Sequence, residues 1–163
     1  MIKTETYTAQ LENHLINPPN SGTKSKATYR LNMPNIRASG YDKITLYVDA
    51  FNGDMYALTA DTILVQARGI YQKNSISTLT TGSCITIAQC SRPIYRNASN
   101  TIVEKLDNVE FYGPNSPIEI TGIPTEITIT LTNIDGTLDL DLDTNANHYH
   151  LKLRFYLIII RLI

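Results

Sequence analysis

Tryptophan is absent from these 163 residues, cysteine occurs twice, histidine three times, and glycine only eight times. None of the glycines falls in a phosphate-cradling loop or a dinucleotide fingerprint, and no Gly-x-Ser-x-Gly elbow occurs. Two cysteines are too few for a disulfide framework or a four-thiolate zinc site. Charge is also sparse, at 18% of residues against about 25% in an average domain, with a net value of −1. No global field therefore draws the chain to nucleic acid, and Lys24 and Lys26 are too few to make a basic arm. Alanine, the best helix former, occurs only 10 times, which excludes a helix bundle and disfavours a helix-layered enzyme. The longest apolar run, Leu157 to Ile160 with Leu162 and Ile163 beyond Arg161, falls far short of the ~20 residues of a membrane-spanning helix. We expect no transmembrane segment. The opening MIKTETYTAQ has no apolar stretch of the secretory kind, so no secretory signal is expected either.

What is abundant is threonine (20), isoleucine (21) and tyrosine (10), the residues of a pleated, half-buried surface. With 42% hydrophobic residues the chain is too apolar for disorder, and its length suits one domain that folds without staples. The expected organisation is an N-terminal strand or arm and loop over residues 1–26, followed by a β-sandwich over 27–163, one domain overall. Ile2, Thr4, Thr6 and Thr8 share one face of a strand, with Lys3, Glu5 and Tyr7 on the other; residues 9–16 allow two helical turns at most. NPPNSGTKSK reads as a loop.

From residue 27 onward, short strand-like runs alternate with turn chemistry. They cover 27–33, 43–51, 62–70, 83–90, 108–113 and 116–122, with Asn52-Gly53-Asp54 as a turn before residues 55–58. The strongest local pattern is TEITITLTN-IDGT-LDLDLD. Ile127, Ile129 and Leu131 line one face against Glu126, Thr128, Thr130 and Thr132. Leu138, Leu140 and Leu142 then alternate with Asp139, Asp141 and Asp143, and Asp135-Gly136 marks a hairpin turn. The last run, from His148 to Ile160, sets Tyr149, Leu151, Leu153, Phe155 and Leu157 against His148, His150, Lys152, Arg154 and Tyr156. Eight to ten strands at this spacing predict an all-β fold, an antiparallel β-sandwich, with an eight-stranded single jelly roll the first choice.

Chemistry-bearing constellations are few. The Asp139, Asp141, Asp143 row lacks the glycine and terminal glutamate of a calcium loop and reads as a solvated face, which Lys152 and Arg154 could face across the sheet. His148 and His150 could chelate one ion, but His14 is remote, and a zinc site needs three or four ligands. Cys84 and Cys90 lie in one strand, about 20 Å apart at ~3.3 Å per residue, so they do not bridge each other. They read as buried free thiols suited to a reducing cytosol. Asn97-Ala98-Ser99 is a lone sequon. The expectation is no enzyme, no cofactor and no metal. Tyr7, Tyr47 and Tyr156 sit on polar faces, compatible with an interface or a sugar platform as well as with strand propensity alone. The C-terminal residues Leu157, Ile158, Ile159, Ile160, Leu162 and Ile163 are apolar on both faces. They require cover, either as a central strand of the sandwich or against a neighbouring subunit, and are the candidate assembly interface.

The order of RLNMPNI, ARGIYQKNS, IPTEITITLTNIDG and HLKLRF resembles the single jelly-roll penton and minor capsid proteins of large double-stranded DNA viruses, both nucleocytoplasmic and polinton-like. The resemblance covers residues 25–157. It implies a virion structural role, assembly in the host cytoplasm, contacts with copies of itself or other capsid proteins, and no catalytic residues. A lectin-like or receptor-binding sandwich is the alternative, with a glycan or receptor as its partner.

Overall fold

The computed structural model describes residues 1–12, 21–23, 25–33, 36–37, 42–55, 62–73, 84–91, 99, 106–107, 117–132 and 148–161. Their regular structure is all β. The strands are β1 (Ile2–Glu12), β2 (Ser21–Gly22), β3 (Lys26–Arg30), β4 (Ile36–Arg37), β5 (Lys43–Met55), β6 (Thr62–Arg68), β7 (Cys84–Ser91), β8 (Leu106–Asp107), β9 (Ile118–Ile120), β10 (Gly122–Ile123), β11 (Glu126–Thr132) and β12 (His148–Ile160). Two antiparallel sheets form a sandwich. The first runs β1-β12-β5-β8, with β9 also on β5; the second runs β2-β3-β11-β6-β7, and β4 and β10 pair separately.

The alternation in the sequence explains which side of each strand faces inward. Ile127, Ile129 and Leu131 of β11 and Leu151, Leu153, Phe155 and Leu157 of β12 are all buried, and residues of both sheets belong to one core. Fully burying an aliphatic side chain is worth about 1.5–3 kcal/mol, so these two rows carry much of the sandwich. The sheets also share a polar tie. Tyr29 of β3 and Tyr149 of β12 hydrogen-bond through their hydroxyls at 2.9 Å inside the core. The Tyr149 ring lies 5.4 Å from that of Phe51.

Where the chain leaves β6, Gly69 has φ of +97°, and a Cβ there would sit 2.9 Å from the carbonyl oxygen of Glu126. That backbone lets Tyr71 and Lys73 reach the first sheet. Lys73 N–H donates to the Glu119 carbonyl and Thr121 N–H to that of Tyr71, on either side of a bridge between Gln72 and Ile120.

Four expectations are corrected. The Asn52-Gly53-Asp54 turn is strand: β5 continues to Met55 because β12 is equally long and supplies Tyr149 opposite Gly53 and His148 opposite Asp54. Residues 9–12, part of the 9–16 stretch that allows two helical turns at most, are strand and complete β1, with Ala9 and Leu11 buried opposite Leu153 and Leu151. Tyr7 is not on the outer face. It shares the inward side of β1 with Ala9 and Leu11 and packs on the core, a side that starts polar and turns apolar along the strand. Thr132, placed outward by alternation, is buried; alternation fixes a side chain's direction, not whether that side is covered. The hairpin turn at residues 134–137, the Asp139, Asp141, Asp143 row, the strand over 108–113, His14, Lys24 and Asn97 lie outside the described residues, as do Leu162 and Ile163.

Candidate functional site

β12 is an inner strand, with β1 on one side and β5 on the other. Its C-terminal apolar residues divide between the two faces. Leu157 is buried in the core, Ile159 packs against it, Ile158 is half-buried and Ile160 is 39% exposed. Ile158 and Ile160 point outward, opposite Thr4 and Ile2. Ile2 is 71% exposed, so Ile2, Ile158 and Ile160 make an apolar corner on the outer face of the first sheet.

Farther along that face the surface becomes polar and cationic, through Tyr156, Arg154 and Lys152. Arg154 is held from two directions. Its guanidinium carbon lies 4.1 Å from the Tyr47 ring centre, and its Nε and Nη2 donate to the Asp49 carboxylate at 3.0–3.3 Å. The bond to Asp49 is the chief reason that the guanidinium's pKa is raised. Asp49 sits in a bulge: Val48 opposes Leu153 and Ala50 opposes Lys152, leaving Asp49 as the extra residue of β5. A bulge bends the strand, and here Asp49, two residues on from Tyr47, keeps that ring's face while Ala50 opposite Lys152 takes it as well. Alternation along residues 43–49 puts Asp49 on the same face as Tyr47, and Asp49 is the acidic partner of Arg154 among the described residues; the Asp139 row lies outside them. Thr45, between Tyr156 and Glu119 in the register, is buried on the same face.

A second polar group occupies the inner side of β1. Lys3 Nζ contacts Glu5 Oε1 at 2.5 Å, and the Tyr7 hydroxyl donates to Glu5 Oε2 at 2.6 Å. These two partners hold the Glu5 carboxyl below its usual pKa, while the same bond to Glu5 raises that of Tyr7.

His150 stands in β12 opposite Glu12 and Asn52, two residues from His148. Among the described residues no three His, Cys, Asp or Glu side chains gather to hold a metal ion. Cys84 and Cys90 both belong to β7, opposite Arg68 and Ile63. Among the described residues no helix is long and apolar enough to cross a membrane. No protein-family model matches the chain, and no curated protein matches its sequence.

Proposed function

We propose that this protein is a virion building block, a single jelly-roll capsid subunit of penton or minor capsid type, acting through contacts with its own copies or other capsid proteins in a particle assembled in the host cytoplasm. The observation that carries this reading is the apolar corner of Ile2, Ile158 and Ile160 on the outer face of a rigid two-sheet sandwich. Such surface is worth covering, at about 25 cal/mol per Å² before the cost of association. What supports the jelly-roll winding is nesting. With the short β2, β4 and β10 set aside and β8 and β9 taken together as one strand's place, the first strand pairs with the last (β1 with β12), the second with the next to last (β3 with β11), β5 with β8 and β9, and β6 with β7. That is one long antiparallel hairpin rolled up, which is how two Greek keys share eight strands. On this reading the chemistry is geometric and the protein is not an enzyme.

The test is light scattering of the purified protein beside Ile2→Asp and Ile160→Asp. The expected result is a discrete oligomer, or co-assembly with other shell proteins, weakened by either variant while the circular dichroism spectrum is kept. A wild type that stays monomeric and joins no particle would refute the proposal. A glycan- or receptor-binding module is favoured instead by the Tyr47, Asp49 and Arg154 cluster, an aromatic ring with a charged donor and acceptor on an open face. It predicts saturable glycan binding by the monomer that Arg154→Ala removes, measured by calorimetry.

A further inference from the structure

The outer edge of the first sheet is β1, and the hydrogen-bond phase of that edge can be read from its first pair. Met1 and Arg161 exchange both bonds, the Met1 nitrogen donating to Arg161 O at 2.8 Å and Arg161 N–H to Met1 O at 3.0 Å. Opposite residues in an antiparallel ladder alternate between pairs that exchange bonds and pairs that do not. The β1–β12 register runs without a shift from Ile2–Ile160 to Glu12–His150. Lys3, Glu5, Tyr7, Ala9 and Leu11 therefore bond to β12. Ile160 N–H, of the alternate set, is directed to Asp42 on the opposite side, as this phase requires. Ile2, Thr4, Thr6, Thr8 and Gln10 consequently turn their N–H and C=O groups away from β12, and among the described residues no strand lies on that side.

Among the described residues the other edges are short or bulged, including β5 where it lies between β9 and β8 and carries its bulge at Asp49. β2 and β8 have two residues, and β9 has three, the last of which, Ile120, bridges to Gln72. β7 carries a bulge, with Ile87 as the extra residue between Thr86 opposite Gln66 and Ala88 opposite Val65. Short, bulged or covered edges are how sheets avoid pairing with other chains. β1 has 11 residues, no proline and no bulge.

We propose that β1 is a homodimerisation edge, on which a second copy of this chain adds its own β1 antiparallel about a two-fold axis at Thr6. Bonded pairs must join outward-turned residues to outward-turned residues, and only the axis at Thr6 engages all five: Ile2 with Gln10, Thr4 with Thr8, and Thr6 with Thr6. It also sets Glu5 of each copy opposite Tyr7 of the other, repeating between chains the Tyr7-to-Glu5 bond found within one. Lys3 faces Ala9. An axis at Glu5 would oppose two carboxylates. The inference deepens the building-block reading, on which it rests for the premise of self-association, and it names the strand by which copies meet.

The experiment uses the full chain. Across a bonded antiparallel pair the Cα atoms lie about 5.5 Å apart, inside the disulfide range. Thr6→Cys is expected to cross-link as a dimer under mild oxidation, and Thr4→Cys and Thr8→Cys, which meet each other's positions and not their own, are expected to match the wild-type background. Thr4→Pro removes an outward N–H and leaves the bonds to β12 in place, and should raise the dimer dissociation constant by about tenfold or more in sedimentation. Cross-linking of Thr4→Cys or Thr8→Cys ahead of Thr6→Cys would overturn the register. A wild type that assembles, with Thr4→Pro assembling equally well and Thr6→Cys failing to cross-link, would overturn the edge and leave the building-block function standing. A monomer that enters no particle would overturn both.

Discussion

Removing one hydroxyl from the tyrosine pair between the sheets should cost more than removing both would suggest. In Tyr149→Phe the ring stays beside Phe51, but the Tyr29 hydroxyl, on a residue only 2% exposed, loses its 2.9 Å partner. A buried hydroxyl deprived of its bond costs about 1–3 kcal/mol, whereas replacing both partners with apolar groups of the same shape approaches neutrality. Tyr29→Phe should be destabilising as well. The double variant should then be clearly more stable than the sum of the singles predicts, with a coupling energy of about 1–2 kcal/mol, within the range for residues in direct contact. Urea unfolding of wild type, both singles and the double supplies the four free energies, with unchanged slopes as the check that the same surface is exposed on unfolding. Additivity to within about 0.5 kcal/mol would refute the claim that this bond ties the sheets together.

The same pair sets an alkaline limit. Burial pushes Tyr29 up to about 12 and Tyr149 well above its ordinary value. A group whose folded pKa is raised contributes stability that is complete below the unfolded value near 10 and is lost as pH rises toward the folded one. The urea midpoint should therefore fall between pH 10 and about 12, at up to ~1.4 kcal/mol per pH unit for each tyrosine, and the double Phe variant should flatten that slope. Thr132→Val should raise stability by about 1 kcal/mol, read as a higher urea midpoint, because Thr132 Oγ1 is buried with no hydrogen-bond partner. Gly69→Ala should lower stability by about 1–2 kcal/mol, read as a lower midpoint, since its φ of +97° and the nearby Glu126 carbonyl both resist a Cβ.

The readable parts of the sequence were those in which one strand face is covered along its whole length. β11 and β12 follow their alternation almost residue for residue, because a register slip would turn Ile127, Ile129 and Leu131, or the row from Tyr149 to Leu157, into water. β5 was harder, since Asn52-Gly53-Asp54 has strong turn chemistry that only a partner 94 to 98 residues away in the chain overrides, as the pairs Asn52–His150, Gly53–Tyr149 and Asp54–His148 do. Part of the outward face was legible: Arg154 and Tyr156 alternate in sequence, and Tyr47 falls opposite Arg154 once the register is known. Asp49 shares that face with Tyr47 by alternation, but its bond to Arg154, 105 residues away in the chain, leaves no local signal. The Tyr29–Tyr149 bond joins residues 120 apart in the chain and leaves no local signal.

The two bulges differ in the side chain that they turn, apolar in one and charged in the other. In β7 the extra residue, Ile87, lies on the edge strand of the second sheet and is turned into the core, which breaks the even spacing that an incoming strand would need. In β5 the extra residue, Asp49, lies between the stretch that pairs with β9 and the stretch that pairs with β8, and its carboxylate meets Arg154 on the outer face. The β1–β12 ladder has neither interruption. The sandwich is therefore polarised. Its second sheet ends in a two-residue strand and a bulged one, while its first sheet carries both the apolar corner at Ile2, Ile158 and Ile160 and a continuous edge that begins at the same corner. Growth from β1 would bring the Ile2 of each copy to the far end of the shared strand pair, opposite Gln10, so the two apolar corners of a dimer would lie apart and stay available to further subunits. A protein that used the corner for dimerisation would consume the surface that extends the assembly, and the placement of Ile2 at the end of β1 avoids this.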